Sequence, residues 1–196
     1  ILCVLPFEVE VLDRLGGPPG TYVGHRLTHE PGVLRAATRQ AEKKDLSPDR
    51  EKTLLVLPGS RRSEVSGLIG FFGDAVASLR RRGHRLKVLL PTVPHVSQAV
   101  SAATADWEVK PEITVDPEGK WEAFGEADAA MIASGTVSLE LALCGVPMYS
   151  CYSIDPMGKL LVRMLTTWSA LLPNIIADRP IVTEVYTPYI RAETIV

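Results

Sequence analysis

Arg61 lies in a short segment that is typical of phosphate binding. An apolar stretch, residues 54–57, runs into Pro58, Gly59, Ser60 and Arg61 and then into a segment with helical spacing of apolar residues. Backbone N–H groups at such a turn attract an anion, as does the positive end of the helix dipole, and an arginine can hold two phosphate oxygens. This first turn predicts a phosphate site, although four residues also suit an ordinary strand-to-helix turn.

A second segment repeats the same design further along the chain. Residues 128–132 read as a strand, Ser134, Gly135 and Thr136 as a small polar turn, and the following residues as a helix that contains Glu140. Ser134 or Thr136 is predicted to cap this helix. Glu140, one turn in, either accepts hydrogen bonds from sugar hydroxyls or only complements the helix dipole.

The elements that must position these two turns alternate regularly from Thr53 onward. The pattern predicts a parallel α/β sheet flanked by helices, in which both turns lie at the carboxyl ends of strands, where open sheets bind ligands. The predicted strands are 53–57, 86–90, 112–115, 128–132 and 146–150, and the predicted helices are 64–82, 94–104, 119–126 and 136–144. Before this region, a strand at 1–5, a helix at 8–15 and a strand at 22–23 are predicted.

Composition narrows the class of protein. The 196 residues are 46% hydrophobic, and 21 Lys and Arg residues nearly balance 23 Asp and Glu residues, so no electrostatic footprint for nucleic acid is present. Cys3, Cys144 and Cys151 are odd in number and lie in apolar sequence, which indicates reduced thiols of a cytoplasmic protein. No Cys or His pair has zinc-site spacing, and no apolar run reaches about 18 residues. The chain begins at Ile1 without a methionine and is interpreted as a fragment.

Two apolar segments follow the regular region. Residues 156–165 read as an apolar helix that either packs between two domains or contacts acyl chains or a membrane surface. Asn174 lies between Pro173 and an apolar pair, so its amide requires a partner, either backbone or ligand. Residues 156–196 are also apolar enough to form a homodimer interface or an interface between domains.

Five short motifs resemble those of the lipid-A-disaccharide synthase family, glycosyltransferases with two Rossmann-like domains (the GT-B architecture). They occur in the family's order with similar spacing and extend over nearly the whole chain. They are Leu5-Pro6-Phe7-Glu8, Tyr22-Val23-Gly24-His25, Leu57-Pro58-Gly59-Ser60-Arg61 with Glu64-Val65, Ala133-Ser134-Gly135-Thr136 with Leu139-Glu140, and Leu172-Pro173-Asn174.

The resemblance implies an inverting transfer that needs no metal and no cofactor. The family moves 2,3-diacylglucosamine from its UDP derivative to 2,3-diacylglucosamine 1-phosphate, releasing UDP and forming the β-1,6 disaccharide of lipid A. It implies a cytoplasmic enzyme with peripheral contact at the inner membrane. The general base is expected in the family's amino-terminal half, of which this sequence covers residues 1 to about 30, so no catalytic residue is named.

Roles of binding residues follow from the resemblance by position. Arg61, with Gly59 and Ser60, is expected to meet the diphosphate, residues 134–136 to offer donors at the helix start, and Glu140 to bind the ribose hydroxyls. Asn174 is expected to help hold the nucleotide. His25 is either a site residue or a structural histidine at the domain hinge, because the family's carboxylate four residues after this histidine is replaced by His29, with Glu30 next.

The resemblance also implies a division of the chain into four parts. Residues 1–30 are expected to be a remnant of the acceptor domain, 31–52 a linker with a helical turn or two, 53–155 the UDP-sugar-binding domain, and 156–196 a carboxyl-terminal helix and crossover. Such a fragment is expected to bind UDP and to be inactive alone. Two alternatives stay open: another UDP-sugar enzyme, such as a peptidoglycan glucosaminyltransferase or a UDP-GlcNAc epimerase, or a non-enzymatic module that binds a membrane or a partner.

Overall fold

Apolar strands and amphipathic helices alternate along most of the chain. The structure is a computed structural model that describes residues 1–43, 47, 49–133, 135–152 and 168–186. The strands are β1 (Leu2–Cys3), β2 (Thr21–Tyr22), β3 (Lys52–Leu57), β4 (Leu86–Pro91), β5 (Glu112–Thr114), β6 (Ala129–Ala133), β7 (Met148–Tyr152) and β8 (Thr183–Tyr186). The helices are α1 (Glu8–Arg14), α2 (Pro31–Glu42), α3 (Arg62–Arg81), α4 (Pro94–Ala103), α5 (Pro117–Glu126), α6 (Val137–Cys144) and α7 (Leu172–Ala177), with a 3-10 helix at Arg26–His29.

The main sheet has six parallel strands in the order β5-β4-β3-β6-β7-β8. Leu54 of β3 lies opposite Val88 of β4 on one side and Ala129 of β6 on the other. The chain runs outward from β3 to β5 and then returns to β6, so β3 and β6 form the topological switch point of the sheet. A crevice opens at the carboxyl ends of the strands at such a point, and ligands of open α/β sheets bind there. The predicted fold class, a Rossmann-like parallel sheet flanked by helices, is confirmed.

Helices cover both faces of this sheet. Leu54 and Val56 point into an apolar cluster with Phe72 of α3, whereas Leu55 points into the opposite cluster with Phe124 of α5. Successive side chains of a strand point to opposite faces, so a strand covered on both sides must be apolar throughout. This explains the uninterrupted apolar run of β3 and the equivalent run of β4.

The segment 31–52, predicted as a linker with a helical turn or two, contains the 12-residue helix α2. Val33 and Ala36 are buried in the cluster beneath α5 and α6. Its end also caps α5, because the Gln40 side chain donates hydrogen bonds to the carbonyl oxygens of Phe124 and Ala127, each at 2.7 Å. The apolar residues of this helix are mostly small, and its packing partner lies some 85 residues away.

Asp128 ties β3 to β6 at the amino-terminal end of these strands. Its carboxylate accepts hydrogen bonds from the Thr53 N–H (2.8 Å), from Lys43 Nζ (3.0 Å) and from both terminal nitrogens of the Arg50 guanidinium. Burial acts to raise the pKa of Asp128, but these hydrogen bonds outweigh it and hold the pKa well below its usual value. The two central strands are therefore joined by a charged, hydrogen-bonded contact at their start.

The two ends of the described chain add short elements. Parallel strands β1 and β2 form a separate small sheet, and β1 is shorter than the predicted strand 1–5. At the other end β8 pairs with β7 and extends the main sheet, which the sequence pattern did not predict. The predicted apolar helix at 156–165 lies outside the described residues. The proposed division into domains remains a prediction.

Candidate functional site

A cavity of about 390 Å³ opens at the switch point between β3 and β6. This volume lies within the range of small-molecule sites. The turns after β3, β4 and β6 form its walls together with the first turns of α5 and α6. Its lining residues are Leu57, Gly59, Ser60, Arg61, Glu64, Pro91, Thr92, Val93, Lys120, Ala133, Gly135, Thr136, Val137 and Glu140. The cavity thus brings together six of the nine residues that the sequence singled out.

The first turn, residues 58–61, binds the carboxylate of Glu64, a side chain of the same chain. Oε2 of Glu64 accepts hydrogen bonds from the N–H groups of Ser60 (2.9 Å) and Arg61 (3.2 Å), and Oε1 accepts one from Arg61 Nη1 (2.7 Å). Glu64 is the third residue of α3, where a carboxylate reaches back to the helix start. The donors that the sequence assigned to an external phosphate are therefore used by Glu64, while the Arg61 side chain remains 79% exposed at the rim.

Gly59 makes this arrangement sterically feasible. Its φ of +112° is one that L-residues rarely adopt. A Cβ at this position would lie 2.4 Å from Glu64 Oε2 and 2.5 Å from Glu64 Cβ. Glycine is thus required twice at this position, for the backbone conformation and for the close approach of Glu64.

The second turn, which leads from β6 into α6, is open by comparison. Thr136 is the N-cap residue of α6, but its side chain makes no capping hydrogen bond, so the predicted cap is wrong for Thr136. The N–H groups of Thr136 and Val137 donate to none of the described residues. Ser138 instead stabilises the turn, since its Oγ donates to the Gly135 carbonyl oxygen at 2.8 Å. This helix start therefore presents donors and a positive dipole end to the cavity.

Glu140 forms an ion pair on the wall of the cavity. Its two carboxylate oxygens lie 3.2 and 3.1 Å from Nζ of Lys120, which comes from α5. The Lys120 ammonium also lies 3.9 Å from the ring centroid of Trp121, a cation–π contact. Glu140 therefore does more than complement the helix dipole, because a second helix fixes the position of its carboxylate.

Four functional candidates were missed by the sequence analysis: Glu64 as an internal anion, Lys120, Thr92 and His95. Thr92 Oγ1 is buried and has no partner among the described residues, although Thr92 lines the cavity. Nε2 of His95 lies 2.7 Å from the Ser60 carbonyl oxygen and so links α4 to the first turn. Lys120, Thr92 and His95 lie on elements that only the strand order brings together, so their spacing along the chain carries no signal.

Two of the predicted site residues that the structure describes, Asn174 and His25, do not line the cavity. Ser134 lies outside the described residues. Asn174 is 1% exposed, and its amide bonds the chain itself: Nδ2 donates to the Val182 carbonyl oxygen and to Glu184, while Oδ1 accepts from the N–H groups of Ile181 and Val182. The sequence left open whether the partner of this amide is backbone or ligand, and in this structure its partners are backbone groups and Glu184.

His25 lies in a separate hollow near β1 and β2, lined also by Val4, Val23, Gly24, Arg26 and His29. Its Nδ1 accepts a hydrogen bond from the Leu27 N–H at 3.2 Å and so begins the 3-10 helix. This contact is the one expected of a structural histidine. Among the residues that the structure describes, this hollow and the main cavity share none.

Two of the cysteines, Cys144 and Cys151, are not reactive thiols, and the described residues hold no metal cluster. Burial raises the pKa of Cys144 to about 11, with a further contribution from Glu140, and raises the pKa of Cys151 to about 12. Both thiols stay protonated at neutral pH. Within the described ranges, no group of three or more His, Cys, Asp or Glu side chains could hold a metal ion. No helix of the described part has the length and apolar character needed to cross a membrane.

Comparison with known proteins places the chain in a family. The sequence profile of the family described as lipid-A-disaccharide synthetase matches residues 1–194. The chain is 40% identical over 185 residues to the lipid-A-disaccharide synthase of Nitrobacter winogradskyi, covering 94% of this chain and 46% of that protein. It is 36% identical to the synthase of Ruegeria pomeroyi, covering 100% of this chain and 50% of the relative. The chain spans about half the length of the curated relatives it matches.

Solved structures agree on the fold. The crystal structure of MurG from Acinetobacter baumannii matches with a TM-score of 0.55 at 15% identity, covering 97% of this chain and 53% of that one. A putative UDP-N-acetylglucosamine 2-epimerase from Listeria monocytogenes matches with a TM-score of 0.51 at 17% identity, covering 89% and 48%. These similarities bear on the fold alone, whereas the sequence matches identify relatives: the chain belongs to the lipid-A-disaccharide synthase family.

Proposed function

We propose that the chain is the nucleotide-sugar-binding half of a lipid A glycosyltransferase. In this proposal the donor is UDP-2,3-diacylglucosamine, the acceptor is 2,3-diacylglucosamine 1-phosphate, and the products are the β-1,6 disaccharide and UDP. Membership of the family supports this reaction over a peptidoglycan glucosaminyltransferase, an epimerase or a non-enzymatic module. The observation that carries the proposal is a single cavity lined by an exposed arginine, an open helix start and a carboxylate.

Each part of UDP finds a chemical counterpart in this cavity. The diphosphate fits the N–H groups of Thr136 and Val137, which donate to none of the described residues, and Arg61 lines the same cavity. The Glu140 carboxylate is an acceptor for ribose hydroxyls. When the glycosidic bond to UDP breaks, negative charge grows on the leaving phosphate, and preorganised donors with an arginine stabilise that charge. No metal is needed for this electrostatic role.

The proposal assigns binding to this chain and catalysis to a larger assembly. Transfer requires the acceptor sugar and a general base to close on the donor, and proximity of this kind supplies much of the rate. The 196 residues are therefore proposed to bind UDP without turnover. Because both substrates carry acyl chains, we also propose that the complete enzyme works in peripheral contact with the inner membrane.

Calorimetric titration of UDP into the chain tests this proposal. We expect saturable binding that weakens about tenfold or more in Arg61→Ala, the scale of one lost charge-assisted hydrogen bond. Arg62→Ala is the matched control, because Arg62 is exposed and adjacent but does not line the cavity. Absence of UDP binding by the unaltered chain, or an equal loss in both variants, would contradict the proposed site.

A further inference from the structure

Lys120 lines the cavity and has no role in the proposed reaction as described above. It lies in the first turns of α5, and its ammonium spans both carboxylate oxygens of Glu140, at 3.1 and 3.2 Å. The ring of Trp121 lies 3.9 Å away on another side. The ammonium is thus held by a carboxylate and an aromatic ring, on a helix different from the one that carries Glu140.

The pair is partly shielded from water. The Lys120 side chain is 30% exposed and that of Glu140 is 18% exposed. An ion pair at such a site is screened less than one on the open surface and holds its geometry better. A glutamate side chain has three rotatable bonds, so an unpaired Glu140 would sample several positions, and a ligand would have to restrict them at the expense of affinity.

The contact leaves acceptor capacity on Glu140 for a ligand. Each carboxylate oxygen carries two lone pairs, and Lys120 takes one hydrogen bond at each oxygen. One lone pair on each oxygen remains, and Glu140 lines the cavity. Two acceptors on one planar group match two hydroxyls on neighbouring carbons, which is the arrangement of the 2′- and 3′-hydroxyls of a ribose.

We propose that Lys120 is a positioning residue that holds the Glu140 carboxylate for bidentate acceptance of the ribose hydroxyls. Lys120 thereby sets the preference of the site for ribonucleotides over 2′-deoxyribonucleotides. This inference rests on the proposed function, because it requires UDP in the cavity. It assigns to Lys120 a role exerted through Glu140 rather than a contact with the diphosphate.

The test compares UDP with 2′-deoxy-UDP by calorimetry in the 196-residue chain and its variants. The unaltered chain is expected to bind UDP about tenfold more tightly, since the deoxy compound lacks one hydrogen bond to a charged acceptor. In Lys120→Met this preference is expected to fall below about threefold, mainly through weaker UDP binding. Lys120→Arg, which keeps a cation beside Glu140, is expected to retain most of the preference.

Lys87→Met is the matched control. Lys87 also pairs with a carboxylate of α5, Glu126 at 3.2 Å, and is similarly exposed, but it lies outside the cavity. Its loss is expected to leave the UDP to 2′-deoxy-UDP ratio unchanged. Thermal unfolding of each variant checks that the fold is intact, and Lys120→Gln replaces the methionine variant under the same criterion if that variant does not fold.

The outcomes separate this inference from the proposed function. If the unaltered chain does not bind UDP, the proposed function fails and the inference fails with it. If UDP binds with a clear ribose preference that Lys120→Met preserves, only the inference is overturned. An equal loss of affinity for both nucleotides in Lys120→Met would show a direct contact of Lys120 with the diphosphate and would also overturn the positioning role.

Discussion

The two turns at the carboxyl edge of the sheet share a sequence pattern but differ in how their helix starts are satisfied. In the first turn the Glu64 carboxylate accepts from the N–H groups of Ser60 and Arg61, so the anion is internal. In the second turn the N–H groups of Thr136 and Val137 find no partner among the described residues. The pattern of strand, small-residue turn and helix therefore predicts a helix start facing the cavity but not whether its donors are free.

The difference follows from the position of one carboxylate in each helix. Glu64 is the third residue of α3, from which a side chain reaches back to the N–H groups before the helix. Glu140 is the fourth residue of α6, and its carboxylate pairs with Lys120 of α5 instead. The direction of one carboxylate thus separates a turn whose N–H groups are used internally from a turn whose N–H groups have no partner among the described residues.

The largest expected effect concerns the contact that holds the two turn-bearing strands together. Asp128→Asn is expected to lower the free energy of unfolding by about 3 kcal/mol at pH 7, because Arg50 and Lys43 lose their carboxylate partner. The folded pKa of Asp128 is depressed, so its contribution is fully present above the unfolded value of about 3.9 and is lost progressively as pH falls from that value through the folded pKa. Urea unfolding at pH 7 and pH 3 should therefore show a large difference from the unaltered chain at pH 7 and a smaller one at pH 3.

Asp74→Asn serves as the control for this comparison, since Asp74 is exposed on α3. Its effect is expected to stay within about 0.5 kcal/mol at both pH values. A loss for Asp128→Asn that is equally large at pH 3 would contradict the ionic origin of the contact and would leave the packing of the two strands as its source.

A smaller loss of folding stability is expected from alanine substitution of the turn glycines, and it should differ between the two turns. Gly59→Ala is expected to lower the free energy of unfolding by about 2 kcal/mol or more, because the methyl group overlaps Glu64 and the positive φ is strained. Gly135→Ala is expected to cost about 1 kcal/mol, since φ is +149° but no atom of the described residues lies within 4 Å of the new methyl group. Urea unfolding followed by circular dichroism measures both, and Gly70→Ala in the middle of α3, where a methyl group meets open space, should be neutral or stabilising. Equal losses at positions 59 and 135 would mean that Glu64 does not pack over the first turn.

Local sequence signals predicted those parts of the molecule that depend on local physics. The apolar runs of β3 and β4, the two small-residue turns and the amphipathic helix α3 follow from spacing and burial alone. The helix α2 was missed because its three buried residues, Gly32, Val33 and Ala36, are small and lie among polar ones. Strand β8 was missed because the charged Glu184 lies in its middle, and the partners of Glu184 include Ser169, Ala170 and Asn174.

The cavity was predictable only where its residues belong to local sequence patterns. Arg61 and Glu140 belong to the turns themselves, so their type and position could be read from the sequence. Lys120 and Thr92 come from other elements, and they reach the cavity only because β4 and β6 both flank β3. Pairing of Lys120 with Glu140 and of Glu64 with the first turn depends on side-chain directions, which spacing alone does not specify.

The smallest expected effect tests directly whether the first turn is closed by its own anion. Glu64→Ala frees the N–H groups of Ser60 and Arg61 and is expected to lower the free energy of unfolding by about 1 kcal/mol, the scale of a lost helix cap. Glu64→Gln should lose less, because its amide oxygen can still accept from these donors. The measurement compares stability in sulfate with stability in chloride at matched ionic strength, for Glu64→Ala and for the unaltered chain. Because sulfate stabilises folded proteins in general, the informative quantity is the additional stabilisation of Glu64→Ala over that of the unaltered chain. Extra stabilisation would show that the freed first turn accepts an external anion, whereas an equal response would show that Glu64 does not occupy an anion site.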